Sequence, residues 1–116
     1  MKKLSNFNFP NFQSIHKDSC KIENLKAINH FVNLNEITLV RCSIDSIYLN
    51  RNRIYLQSKT IIYLNISGNE IGPEGMKEFS KISFTNLQYL DIWANQIGDE
   101  GMKEFSKISF TNLQYL

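Results

Sequence analysis

Several common ways of building or using a protein are absent from this sequence. It holds two cysteines, Cys20 and Cys42, and no C-x-x-C, too few for a disulfide scaffold. No apolar run approaches the roughly 18 residues of a membrane span. The longest, residues 61–66, is strand-sized. Met1-Lys2-Lys3-Leu4 opens like a signal peptide, but Asn6, Asn8, Pro10 and Asn11 interrupt the apolar region such a peptide needs, so no cleavable signal is assigned. Neither sign of charge dominates. Thirteen Lys+Arg against eleven Asp+Glu leave a net charge of +2, too little for a general nucleic-acid or membrane surface. Catalytic motifs are missing as well: there is no Walker loop, no G-x-S-x-G and no H-E-x-x-H. His16 and Asp18 fall on one face of a strand but lack a nucleophile or metal-ligating companions.

What is present is repetition. Residues 71–90 read IGPEGMKEFSKISFTNLQYL and residues 97–116 read IGDEGMKEFSKISFTNLQYL, identical except for Pro73 against Asp99. Nineteen shared residues of twenty mark a tandem duplication with a 26-residue period. Each copy carries an apolar skeleton: Leu87-x-x-Leu90-x-Ile92-x-x-Asn95-x-Ile97, and before it Ile61-x-x-Leu64-x-Ile66-x-x-Asn69-x-Ile71. The template fits again at Leu34-x-x-Ile37-x-Leu39-x-x-Cys42-x-Ile44, and more loosely at Phe12-x-x-Ile15-x-Lys17-x-x-Cys20-x-Ile22.

On these residues the chain resembles the leucine-rich repeat family, whose pattern is L-x-x-L-x-L-x-x-N/C-x-L. The I-G-x-x-G turns at Ile71 and Ile97 are similar to the ribonuclease-inhibitor-like class, and the N-terminal part to the shorter 22-residue class. The resemblance implies an α/β solenoid: a curved parallel sheet on the concave side, short helices and irregular arcs on the convex side. The repeats are expected at 12–33, 34–60, 61–86 and 87–112, with a partial one at 113–116 and a possible N-terminal cap at 1–11. The apolar pattern breaks off at Leu116, two core positions into a fifth strand. That predicts a fragment of a longer array, C-terminally uncapped and open to self-association through its last repeat.

The residues support specific local expectations. Within x-x-L-x-L, period-two alternation turns two apolar side chains inward and the residues between them outward. The resemblance implies that the Asn or Cys after the strand turns inward and hydrogen-bonds neighbouring backbone. Cys20, Cys42, Asn69 and Asn95 form this ladder, with the two cysteines as buried reduced thiols. A disulfide, metal or nucleophile role for them stays open. After Ile22 apolar residues every third position, including Ile28 and Phe31, suit a 3₁₀-like arc. After Ile71 and Ile97 a helix begins, with Pro73 in its first turn and Asp99 as an N-cap. Met76, Phe79 and Ile82 line its inner face, and Lys77, Glu78 and Lys81 are solvated. The template also matches at Ile44-x-x-Ile47-x-Leu49-x-x-Asn52-x-Ile54. Ten residues cannot form a strand and return, so 45–60 is read as a convex arc.

Outward strand positions make the concave face. They are Ser14, His16 and Asp18, then Glu36, Thr38 and Val40, then Tyr63, Asn65 and Ser67, then Tyr89, Asp91 and Trp93, and finally Tyr115. Parallel strands lie about 4.8 Å apart, so Tyr63, Tyr89 and Tyr115 stack in a column with Trp93 beside it. Tyrosine also suits any exposed strand, and duplication alone would copy it. Trp93 stands where the previous repeat has Ser67, so the repeat itself does not require it. Aromatic side chains of this kind are enriched at binding hot spots. Tyr63, Asn65, Tyr89, Asp91, Trp93 and Tyr115 are therefore the candidate partner-binding residues. A carbohydrate or stacked bases would also suit an aromatic column, but no basic row tracks phosphates here.

The expectation is a non-enzymatic module that binds a protein, with no cofactor, no metal, no nucleic acid and no membrane. The alternative is a recognition or regulatory domain of a larger enzyme, inhibitor, GTPase-activating protein or host-directed effector. Reduced cysteines without a signal favour an intracellular setting. Export by a route that reads no cleavable signal is the other possibility.

Overall fold

The computed structural model describes residues 13–26, 34–56, 60–110 and 112–116. The possible cap at 1–11 and most of the arc carrying Ile28 and Phe31 lie outside the described residues. Four strands, β1 (Gln13–Asp18), β2 (Leu34–Val40), β3 (Tyr63–Asn65) and β4 (Tyr89–Asp91), form one sheet in sequence order, every pair parallel. Helices α1 (Ser46–Leu56), α2 (Gly72–Phe79) and α3 (Gly98–Phe105) return the chain along the other side. This is an α/β solenoid with a parallel sheet that does not close.

The core is the layer between sheet and helices. Ile37, Leu39, Leu64, Ile66 and Leu90 turn into it from the strands, and Leu49, Leu56, Met76 and Phe79 from the helices; all are buried. Phe84 carries this packing toward the last repeat, with ring centroids 5.6 Å from Phe79 and 6.3 Å from Phe110. The residue before each ladder position takes a left-handed backbone: Ser19 (φ 59), Arg41 (φ 53), Gly68 (φ 68) and Ala94 (φ 56). That kink ends the strand.

Residues 46–56 are helical although they match the strand template. The template's spacings of three also fit one face of a helix. Asp45 decides between them: its Oδ1 accepts the Tyr48 N–H at 2.8 Å, and its carbonyl accepts the Leu49 N–H at 3.0 Å. Leu49, Asn52 and Leu56 are then buried, while Ile47 and Ile54 face solvent.

Two helix details depart from expectation. Asp99 does not cap α3. The cap position is Ile97, with no side-chain cap bond, and Asp99 sits inside the first turn, where its charge meets the positive end of the helix dipole. Glu78 is not simply solvated. Its largely buried carboxylate accepts from Asn50 at 2.9 Å and pairs with Lys81 at 3.0 Å and Arg53 at 3.3 Å, which together hold it below the ordinary carboxylate range. The second glycine of each I-G-x-x-G turn is demanded by packing. A Cβ on Gly75 would lie 2.6 Å from Ile71 Cγ2, and one on Gly101 would collide with Ile97 Cγ2.

Tyr48 is a weak point in α1. Its Oη is buried without a hydrogen-bond partner among the described residues, and burial pushes its ionisation up to about 12. Tyr48→Phe is expected to raise stability by about 1 kcal/mol, because it removes an uncompensated desolvation. Tyr63 is likewise pushed up to about 12, chiefly by burial. Both groups hold their proton more tightly folded than unfolded. The stability they contribute is therefore intact below about pH 10 and is lost as pH rises from about 10 to 12. Absorbance titration should show two late tyrosines in the wild type and one in Tyr48→Phe. Two remaining late steps would contradict the assignment.

Candidate functional site

The ladder positions the site, because it joins each repeat to the one before. Asn69 is buried; its Oδ1 accepts the N–H groups of Cys42 (2.8 Å) and Ile44 (3.1 Å). Its Nδ2 donates to the carbonyls of Leu39 (2.8 Å), Ile66 (2.7 Å) and Ser67 (3.1 Å). Asn95 repeats this one unit on, donating to Ile66 (2.9 Å) and Ile92 (3.0 Å) and accepting from Ile71 N–H at 3.4 Å. The Cys42 thiol donates to Val40 O (3.3 Å) and Lys17 O (3.7 Å), and burial pushes its ionisation up.

Cys20 corrects the expected ladder: it is exposed. Each of the other ladder side chains bonds the repeat before it, and Cys20 makes no such bond among the described residues. Asn52 in α1 plays a related part that the repeat pattern does not announce. Its Oδ1 accepts the Leu25 N–H at 2.9 Å and its Nδ2 donates to Tyr48 O at 3.0 Å.

On the concave face Tyr63 pairs with Tyr89, and Tyr89 bridges Tyr115. The Tyr63 and Tyr89 rings stack, with centroids 4.3 Å apart and planes 5° from parallel. Tyr89 and Tyr115 are looser, at 6.3 Å and 41°. Asn65 and Asp91 are register partners that cap their own strand ends: Asn65 Oδ1 accepts Ser67 N–H at 3.0 Å, and Asp91 Oδ1 accepts Trp93 N–H at 2.9 Å. Trp93 is 80% exposed.

The face is not open along its whole length. Glu36 and Thr38, expected on the accessible surface, are completely buried. The accessible aromatic face therefore belongs to the third and fourth repeats. A cavity of about 720 Å³ opens beside it, lined among others by Tyr89, Asp91, Trp93, Ile97, Met102 and Tyr115. The sequence pattern did not mark this cavity, which arises where the fourth repeat's core side chains meet the end of the stack. Among the described residues no three His, Cys, Asp or Glu side chains group as metal ligands.

The leucine-rich repeat family model matches residues 57–80 and 85–106, the two units that carry this face. The chain is a leucine-rich repeat protein. Neither a curated protein nor a solved structure matches it. Leucine-rich repeats commonly mediate protein–protein interaction and are generally non-enzymatic. No helix among the described residues of this leucine-rich repeat protein is long and apolar enough to cross a membrane.

Proposed function

We propose that this leucine-rich repeat protein is a non-enzymatic interaction module that binds a protein partner through the concave aromatic face of its third and fourth repeats. The observation that carries the reading is Trp93, 80% exposed beside the stacked Tyr63 and Tyr89. The ladder holds the backbone rigid on either side of these rings, so the face is presented with little ordering left to do on binding. Tyr and Trp offer large contact area at low conformational cost. Asn65 and Asp91, already engaged at the strand ends, add polar groups at fixed positions. The helix-bearing 26-residue units support the ribonuclease-inhibitor-like class. The buried Cys42 thiol, acting as a hydrogen-bond donor, fits a reducing, intracellular setting.

The double variant Tyr89→Ala/Trp93→Ala tests the reading. Affinity capture with wild-type chain as bait should recover a partner whose yield falls at least about tenfold with the variant, at unchanged circular dichroism. Equal recovery by both baits would remove the concave face from the function.

A further inference from the structure

We propose that Cys20 and Cys42 form a redox modification site, where a hydroperoxide converts the exposed Cys20 thiol and the buried Cys42 thiol into one reversible disulfide tying β1 to β2. The ladder geometry brings the two residues together. A ladder side chain lies on the backbone N–H of the ladder residue one repeat earlier, as Asn69 Oδ1 lies on the Cys42 N–H at 2.8 Å. Its second contact there is a strand carbonyl: Asn69 Nδ2 reaches Leu39 O at 2.8 Å. Cys42 takes the same place one unit back. Its Sγ donates to Lys17 O at 3.7 Å, and Lys17 is the register partner of Leu39. Burial pushes the Cys42 ionisation up, and the Cys20 N–H facing the sulfur works in the opposite direction.

The backbones keep this register past the strand ends. Asp18 pairs with Val40, the Ser19 N–H donates to Val40 O at 2.9 Å, and Ser19 (φ 59) and Arg41 (φ 53) make the same left-handed turn directly before their cysteines. Arg41 clasps the two turns from outside, on Asp18 Oδ2 at 2.6 Å and Ser19 Oγ at 3.3 Å. Residues in register on adjacent parallel strands stand about 4.8 Å apart, within the span of about 4.4–6.8 Å between α-carbons that a disulfide accepts. Access sets the order of events, because Cys20 is exposed and Cys42 is buried. Cys20 Sγ attacks the peroxide: an S–O bond forms, the O–O bond breaks and one water leaves, giving a sulfenic acid. Cys42 Sγ then attacks that sulfur: the S–S bond forms, the S–O bond breaks and a second water leaves. Two thiols are oxidised by two electrons, and one hydrogen peroxide is reduced to two waters.

The test is oxidation of the full folded chain with hydrogen peroxide, read by intact mass, alkylation and peptide mapping. The expected product is a monomer about 2 Da lighter than the reduced chain, with neither thiol open to alkylation and with the Cys20 and Cys42 peptides joined. Dithiothreitol should restore both thiols. Cys42→Ser should stop at the Cys20 sulfenic acid, trapped by dimedone. Cys20→Ser should lose its remaining thiol at least about tenfold more slowly than the wild type loses Cys20. Cys20 is exposed, so that variant keeps the fold, and an unchanged circular dichroism spectrum verifies it. Equilibration with glutathione then separates positioning by the fold from mere nearness along the chain. The effective concentration of the pair should be at least about tenfold higher in the folded chain than in urea. Equal values in the two states overturn the proposal. So does a Cys42 thiol that remains open to alkylation after Cys20 is oxidised, or a Cys20–Cys20 bond between two chains as the main product.

Discussion

Asn69→Ala is expected to lower the unfolding free energy by about 3–5 kcal/mol, the largest loss at any polar side chain of this protein. Its amide satisfies two buried N–H donors and two buried carbonyls while contributing no bulk that a repacked core could replace. Alanine leaves those groups dry and unpaired between two repeats, where water cannot enter without separating the stack. Asn95→Ala is expected to cost less, about 1–2 kcal/mol. Its oxygen accepts one long bond, from the Ile71 N–H at 3.4 Å, where that of Asn69 accepts two shorter ones. Cys42→Ala should cost under about 1 kcal/mol, since a thiol is a weak donor with little to lose. Urea unfolding of the three variants checks the order. Equal losses for Asn69 and Asn95 would show that the ladder acts locally, without linking successive repeats.

That order also separates what a sequence can reveal from what it cannot. The repeat template carries the ladder because one position in it must be polar, inward and short, and few residue types qualify. It carries the Tyr63–Tyr89 pairing because a 26-residue duplication places equal residues in equal register. It cannot carry Cys20, because the template describes a residue and the ladder needs a neighbour, and Cys20 is exposed. Glu36 and Thr38 fail for a similar reason. Alternation says which side of the sheet a residue faces, but whether that side is covered depends on the rest of the fold. The helix at 46–56 shows a different limit. An apolar spacing of three belongs to both the strand template and a helix face, and only the Asp45 cap distinguishes them. Asp99 misleads because the helix begins two residues earlier than an Asp99 cap would place it, at Gly98, which puts Asp99 inside the first turn.

The second large effect separates two methionines that share the local sequence Gly-Met-Lys-Glu-Phe. Met76→Ala is expected to cost about 2–5 kcal/mol, and Met102→Ala less than about 1 kcal/mol. The residue removed and its helix neighbours are the same except for Pro73 against Asp99 one turn before, so the difference reports chiefly on packing. Met76 is fully enclosed between α1, α3 and the sheet, and its deletion opens a cavity that the packed repeats on both sides cannot close. Met102 is 48% exposed, so alanine there removes surface as much as core. In a solenoid stability is a sum of units and of the contacts between adjacent units. The difference between the two variants therefore estimates what one neighbouring repeat adds at this position. Thermal or urea unfolding measures it directly. Equal destabilisation would mean that the enclosure of Met76 adds nothing to stability at this position.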